Sequence, residues 1–267
     1  MKRPILLIFL ILLALNQAFA SAFFEGIVKP VHEVKLALPI DGIISQIFVK
    51  EGASVKKGEK LLKLDDILQG LEVNRRREIY FDKAELESSK KNLEILKSLL
   101  DSSQELYEKT ASVSRDEVQN LLMQYHTLNG RVNVSEARKK QELIEYEISK
   151  EVLARYVLTS PIDGIVTVIK AEEGEWAKTG EMLATVVDTS VCYVEFNIDE
   201  KYARTFKKGD VVSFSVREGD VMSAKKGKVI FVSPVADKAS ALVEVKVEFE
   251  NKSGTIIPGV LANINLD

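Results

Sequence analysis

A five-residue text occurs twice in this chain, as Pro39-Ile40-Asp41-Gly42-Ile43 and as Pro161-Ile162-Asp163-Gly164-Ile165. The same offset of 122 residues holds without a gap to Asp66 and Asp188. It pairs Ile47 with Ile169, Glu51-Gly52 with Glu173-Gly174, Lys56 with Lys178, Gly58-Glu59 with Gly180-Glu181, and Leu61 with Leu183. Nearly half the positions are identical, so the two stretches are internal copies of one unit. Between them lies a strongly charged segment, residues 67–156, with no proline and, after Gly70, one interior glycine, Gly130. A long helical text between two copies of a β motif leaves few architectures open.

Each copy reads as short strands joined by tight turns. Asp41-Gly42 and Asp163-Gly164 are expected to form hairpin turns, because glycine accepts positive φ and aspartate bonds its own backbone. Ile43-Ile44 and Ile47-Phe48-Val49 are strand text, Glu51-Gly52 a second turn, and Lys60 to Leu64 a final strand after Gly58. So short a sheet has too little core to stand alone. The copies should therefore pack face to face, with the insertion leaving and rejoining the sandwich at neighbouring points.

That geometry makes the insertion a hairpin. Ile79, Leu86, Leu93, Leu100 and Tyr107 recur every seven residues, a seam facing one partner. The return arm carries one stripe of Val118, Leu121, Tyr125, Leu128 and Val132, and a second of Ala137, Ile144, Ile148 and Val152. Asn129-Gly130 and Asn133-Val134-Ser135 between them predict a kink or a shift of stripe. Ser114-Arg115-Asp116-Glu117 has the form of a capping box opening the second helix. The alternative for this region is an ordinary coiled-coil dimerisation element.

Strand text flanks this core. Residues 26–38, broken by Pro30, suit an edge strand or a bend. After Asp188, Val194, Phe196 and Ile198 alternate with polar residues, as do residues 211–217. Further strand text at 228–232, 241–249 and 261–266 makes five or six strands, enough for a small closed barrel. Cys192 and Trp176 are expected as packing residues. At the N-terminus Lys2 and Arg3, an apolar run over residues 5–15 and Ala18-Phe19-Ala20 predict a signal peptide over residues 1–20. Cleavage after Ala20 is favoured over an uncleaved anchor. The net charge of −3 gives no basic footprint for nucleic acid. His32 and His126 have no Cys or His at ligand spacing, so no metal site is expected. No nucleophile elbow, Walker loop or dinucleotide fingerprint occurs, so the chain is not expected to be an enzyme.

The repeats resemble the half-motifs of the biotinyl/lipoyl carrier fold, through Pro39-Ile-Asp-Gly-Ile and through Glu51-Gly52 with Lys56-Lys57-Gly58-Glu59-Lys60-Leu61. In a carrier a short hairpin bearing the modified lysine joins the halves. No such text occurs here, so no cofactor is expected. A split lipoyl domain around a helical hairpin, followed by a barrel, resembles the HlyD-like periplasmic adaptors, or membrane fusion proteins. Phe196-Asn-Ile-Asp-Glu-Lys-Tyr202, Lys208-Gly-Asp-Val211, Phe231-Val-Ser-Pro-Val-Ala-Asp-Lys-Ala239 and Ile257-Pro-Gly259 resemble that family's barrel strands.

The resemblance implies a mixed α and β fold. A lipoyl-like sandwich (barrel-sandwich hybrid), residues 26–66 and 157–188, is split by a coiled-coil hairpin, residues 67–156, and followed by a β-barrel, residues 189–267. It implies a periplasmic adaptor associated with the inner membrane, linking an RND or ABC transporter to a TolC-like outer-membrane channel and assembling as a hexameric ring. Channel contact falls to the hairpin tip, Thr110, Ser112, Ser114, Arg115 and Glu117. Adaptors of TolC-like channels carry Arg, Leu and Ser at spacings of four and seven, where this chain has Ser103, Tyr107 and Ser114. The rival readings are a covalent cofactor carrier and a periplasmic coiled-coil scaffold without a transport role.

Overall fold

The computed structural model describes residues 22–266; the expected signal peptide lies outside the described residues. The first repeat supplies β2 (Gly42–Ile47), β3 (Ser54–Val55) and β4 (Lys60–Leu64). The second supplies β6 (Gly164–Ile169), β7 (Trp176–Ala177) and the first part of β8 (Met182–Asp199). The copies do more than face each other, because each lends its two-residue strand to the other. β3 pairs with β6, and β7 pairs with β2. With β5 (Val157–Thr159) this gives one sheet ordered β5-β4-β2-β7, facing the arm β8-β6-β3 of the other. Between them Leu38, Ile44, Leu61, Leu64, Val166 and Val186 form a buried core.

Polar contacts repeat across this interlock in matched pairs. The Ile47 N–H donates to Glu173 Oε1 at 2.8 Å, and the Ile169 N–H donates to Glu51 Oε1 at 2.8 Å. The Lys57 N–H donates to Asp163 Oδ1 at 2.8 Å, and the Thr179 N–H to Asp41 Oδ1 at 2.5 Å. Gly52 N–H reaches the Val166 carbonyl while Gly174 N–H reaches the Ile44 carbonyl, both at 2.8 Å. Every one of these bonds has its twin 122 residues away, as a two-fold relation between the copies requires.

The repeated Asp-Gly pairs therefore act differently from the hairpin turns expected of them. Positive φ occurs at Gly52, Gly58, Gly174 and Gly180, but not at Gly42 or Gly164. Gly42 and Gly164 instead open strands, where space for a side chain is tight at Gly42 and missing at Gly164. A Cβ on Gly164 would lie 2.5 Å from the Val187 carbonyl oxygen, and one on Gly42 would lie 3.0 Å from Leu64 Cδ1. The aspartates bond the opposite copy rather than their own turn.

The barrel is closed. β8 continues into it, followed by α4 (Glu200–Ala203), β9 (Val211–Glu218), β10 (Val221–Ala236), β11 (Leu242–Glu250) and β12 (Leu261–Leu266). β1 (Ala22–Ala37) pairs with β12 at its start and with β8 along most of its length, which closes a ring of six strands. Phe214 meets Phe196 and Phe249 edge to face, with centroids 6.0 and 5.4 Å apart, at the centre of a valine-rich core. Such pairs add to area burial because the positive ring edge meets a negative face.

Pro30 does not break β1 or leave it at an edge; one strand runs from the barrel into the sandwich. The missing N–H is absorbed in a register shift, where Pro30 opposes Cys192 but His32 opposes Asp188. The bulge so formed on β8 is held by buried Asn251, whose amide donates to the Thr189 and Ile256 carbonyls at 2.9 and 2.8 Å. Cys192 is fully buried, as expected. Trp176 is not a core residue, being 60% exposed.

The interlock predicts two outcomes. Gly164→Ala should destabilise by about 1–3 kcal/mol in urea denaturation, since the added methyl meets backbone, and Gly42→Ala by less, since it meets a side-chain end. The Thr179 hydroxyl and N–H hold the Asp41 carboxyl below its usual range. A depressed folded pKa stabilises above the unfolded value, about 4, and that stability is lost as pH falls through the folded pKa. The Tm of Asp41→Ala should therefore lie below wild type at pH 7, with the gap narrowing in acid.

Candidate functional site

The distinctive feature of this molecule is its helical shaft. Among the described residues no group of three or more His, Cys, Asp or Glu is placed to hold a metal ion, and no helix is long and apolar enough to cross a membrane. The outgoing arm is two helices, α1 (Ile67–Phe81) and α2 (Ala84–Thr110), and the return arm is one, α3 (Arg115–Ala154). The 40 residues of α3 extend about 60 Å at 1.5 Å per residue.

The outgoing arm breaks at Asp82-Lys83, which the seven-residue repeat does not foretell. Leu86 and Leu100 are buried against α3, but Ile79 and Tyr107 at the ends of that repeat are exposed. Ser103 is also buried, and its small side chain permits close approach in the seam. On α3 the stripe of Val118, Leu121, Tyr125, Leu128 and Val132 faces inward as expected. Asn129-Gly130 causes no interruption, and the helix runs unbroken. The second stripe does not take over the seam, because Ile144 and Ile148 point to solvent. The seam continues in phase through Ser135, Lys139, Glu142, Tyr146 and Ser149.

The half of the shaft nearest the sandwich is consequently held by polar contacts. Arg76 bridges Glu72 of its own helix and Glu145 of α3. Arg75 and Arg76 pull the Glu72 carboxyl down to about 2. Tyr80 stacks on Tyr146 at 6.3 Å. Lys139 is largely buried; its Nζ donates to Glu142 at 2.6 Å and to the Ile79 carbonyl at 2.9 Å. That carbonyl belongs to the last turn of α1, where the break removes its helical partner, so Lys139 caps the interrupted helix from across the shaft.

The five residues expected at the tip are brought together there. α2 ends at Thr110, followed by Ala111 in a left-handed conformation with φ of 51°. Ser112 Oγ donates to Thr110 Oγ1 at 2.8 Å, and Ser114 Oγ accepts the Glu117 N–H at 3.1 Å as the N-cap of α3. Thr110, Ser112, Ser114, Arg115 and Glu117 are all exposed. Ser103, four residues before Tyr107, is buried in the seam and unavailable at the surface.

The comparisons with known proteins agree with this architecture. The family model "RND MFP, barrel-sandwich hybrid domain" matches residues 32–189. This chain belongs to the RND membrane fusion proteins. A second model, "CusB-like, beta-barrel domain", matches residues 192–267, so the two meet at the register shift in β8. The chain is 23% identical over 227 residues to the cobalt-zinc-cadmium resistance protein CzcB of Cupriavidus metallidurans, covering 84% of this chain and 40% of that one. It is 22% identical over 253 residues to the multidrug resistance protein MdtA of Escherichia coli, covering 90% and 56% respectively. It thus spans about half the length of such relatives. The crystal structure of MacA from Actinobacillus actinomycetemcomitans superposes with a TM-score of 0.76 at 23% identity, over 92% of this chain and 78% of that one. At that identity the likeness establishes the fold of this membrane fusion protein.

Replacing Lys139 with Met should leave Glu142 without its close partner and the end of α1 uncapped, a loss of about 1–3 kcal/mol locally. Hydrogen exchange should quicken at residues 79–87 while the barrel amides stay protected.

Proposed function

We propose that this membrane fusion protein is the periplasmic adaptor of a tripartite efflux or secretion system. It links an inner-membrane transporter of the RND or ABC type to a TolC-like outer-membrane channel, as copies arranged in a hexameric ring. The observation that carries the reading is the shaft itself. It rises from the point where a carrier would hold its cofactor lysine, and it ends in an exposed polar turn. Family membership and the resistance functions named for CzcB and MdtA support it. The role is non-enzymatic: the chain positions two membrane partners. It acts in the periplasm at the inner membrane, with the signal peptide cleaved after Ala20. We divide the chain into the sandwich, 26–66 with 157–188, the shaft, 67–156, and the barrel, 189–267, which the start of β1 completes.

Contact with the channel is assigned to Thr110, Ser112, Ser114, Arg115 and Glu117. Ser114 is a poor probe of that contact, because replacing it also removes the N-cap and costs about 1 kcal/mol in the helix. Ser112→Arg and Arg115→Glu leave the cap in place. In cells relying on this system, each should abolish co-purification of the channel and restore sensitivity to the exported compound, with circular dichroism unchanged. Retention of both channel and resistance would overturn the tip assignment.

A further inference from the structure

A groove lies beside the break in the outgoing arm, between Tyr80 near the end of α1, Leu86 on α2 and Leu143 on α3, with a volume of about 410 Å³. The outgoing chain leaves helical geometry here, since Asp82 is extended, with φ of −69° and ψ of 102°. The floor is apolar: Leu86 is buried, Tyr80 is partly buried, and Leu143 is 37% exposed. The walls are basic. Lys83, Lys90, Lys139 and Lys140 line the groove with two carboxylates, Glu87 and Glu136, in a chain whose net charge is −3. Lys90 is paired with Glu136 and Lys139 with Glu142, each at 2.6 Å. Lys83 and Lys140 are exposed and, among the described residues, have no carboxylate in ion-pair range. They come from opposite arms of the shaft, and Lys83 Nζ lies 5.5 Å from the centre of the Tyr80 ring.

Two free ammonium groups beside an apolar floor suit a molecule with one negative head on a hydrocarbon body. The volume is in the range of small-molecule sites. We infer that this groove binds a free amphipathic anion, its acidic head held between Lys83 and Lys140 and its body laid against Tyr80, Leu86 and Leu143. A neutral apolar ligand would leave both ammonium groups unused, and a cation would meet them as like charges. Glu87 opposes the anion from the α2 wall, so it lowers the affinity without abolishing it. An occupant touches the end of α1, the start of α2 and the face of α3 at once. It therefore ties together the joint that Lys139 caps through the Ile79 carbonyl. Such binding is independent of an adaptor role.

Titration of the purified mature chain with decanoate, followed by methyl NMR, tests this. The Leu86 and Leu143 methyls should shift saturably in the millimolar range, and hydrogen exchange should slow at residues 79–87. Lys83→Gln/Lys140→Gln should weaken decanoate binding about tenfold, and Glu87→Gln should strengthen it about threefold. Circular dichroism should be unchanged in both. Decyltrimethylammonium should leave these methyls unmoved, which separates a charge-read site from unspecific apolar contact. Absent or non-saturating shifts, an equal response to the cation, or an affinity indifferent to the lysine pair would each overturn the proposal. So would a response to vesicles of anionic phospholipid with none to free decanoate, which would make the groove a membrane contact.

Discussion

The rest of this molecule depends on two repeats that bond to each other as well as within themselves. Neither copy has a sheet large enough to bury a core alone. Exchange of β3 and β7 supplies each with a strand, and the carboxylates of Glu51, Asp41, Glu173 and Asp163 close each other's turns. Each hydrogen bond is worth about 0.5–1.5 kcal/mol net, but their geometric effect is larger. They fix the end of β4 beside β5, where the Leu64 N–H donates to the Tyr156 carbonyl. The shaft can then only leave and return at one place.

The copies end alike and continue differently. Asp66 lies at the start of α1, with Asp65 Oδ1 accepting the Ile67 N–H, whereas Asp188 lies within β8 and its carboxylate accepts from Ser190. The residues immediately beyond each aspartate decide between helix and strand. Ile-Leu-Gln-Gly-Leu-Glu permits a helix, and Thr-Ser-Val-Cys-Tyr-Val carries the branched and aromatic side chains that favour a strand. Because β8 does not stop, it and β1 serve sandwich and barrel together, and the two units share strands rather than a linker.

The repeat, the hairpin, its turn at Thr110 and Ser114, and the barrel strands after Asp188 are legible because each rests on local text or on periodicity, whereas the closure of the barrel by β1 is not. Less legible are features set by distant partners. Gly42 and Gly164 resemble turn glycines in isolation, yet they are needed for close approach to Leu64 and Val187. Pro30 reads as a strand breaker until its register shift opposite residues 189–191 absorbs it. Trp176 occupies the position of Ser54 in the other copy, and strand text alone does not reveal which side of a two-residue edge strand faces solvent.

The return arm is the most informative departure, because its periodicity is real and its direction is inverted. An amphipathic helix in a two-helix rod should turn its apolar stripe toward its partner. Near the sandwich this shaft does the reverse, placing Arg76, Lys139, Glu142 and Glu145 in the seam and Ile144 and Ile148 outside. Ion pairs in such a seam fix register more than they add stability. They leave Ile144 and Ile148 facing outward. Such an arrangement is costly in water for an isolated rod. The polarity of the seam and the apolarity of the outer face are thus one arrangement: charge takes the inner positions of this half, and the apolar stripe is left outside.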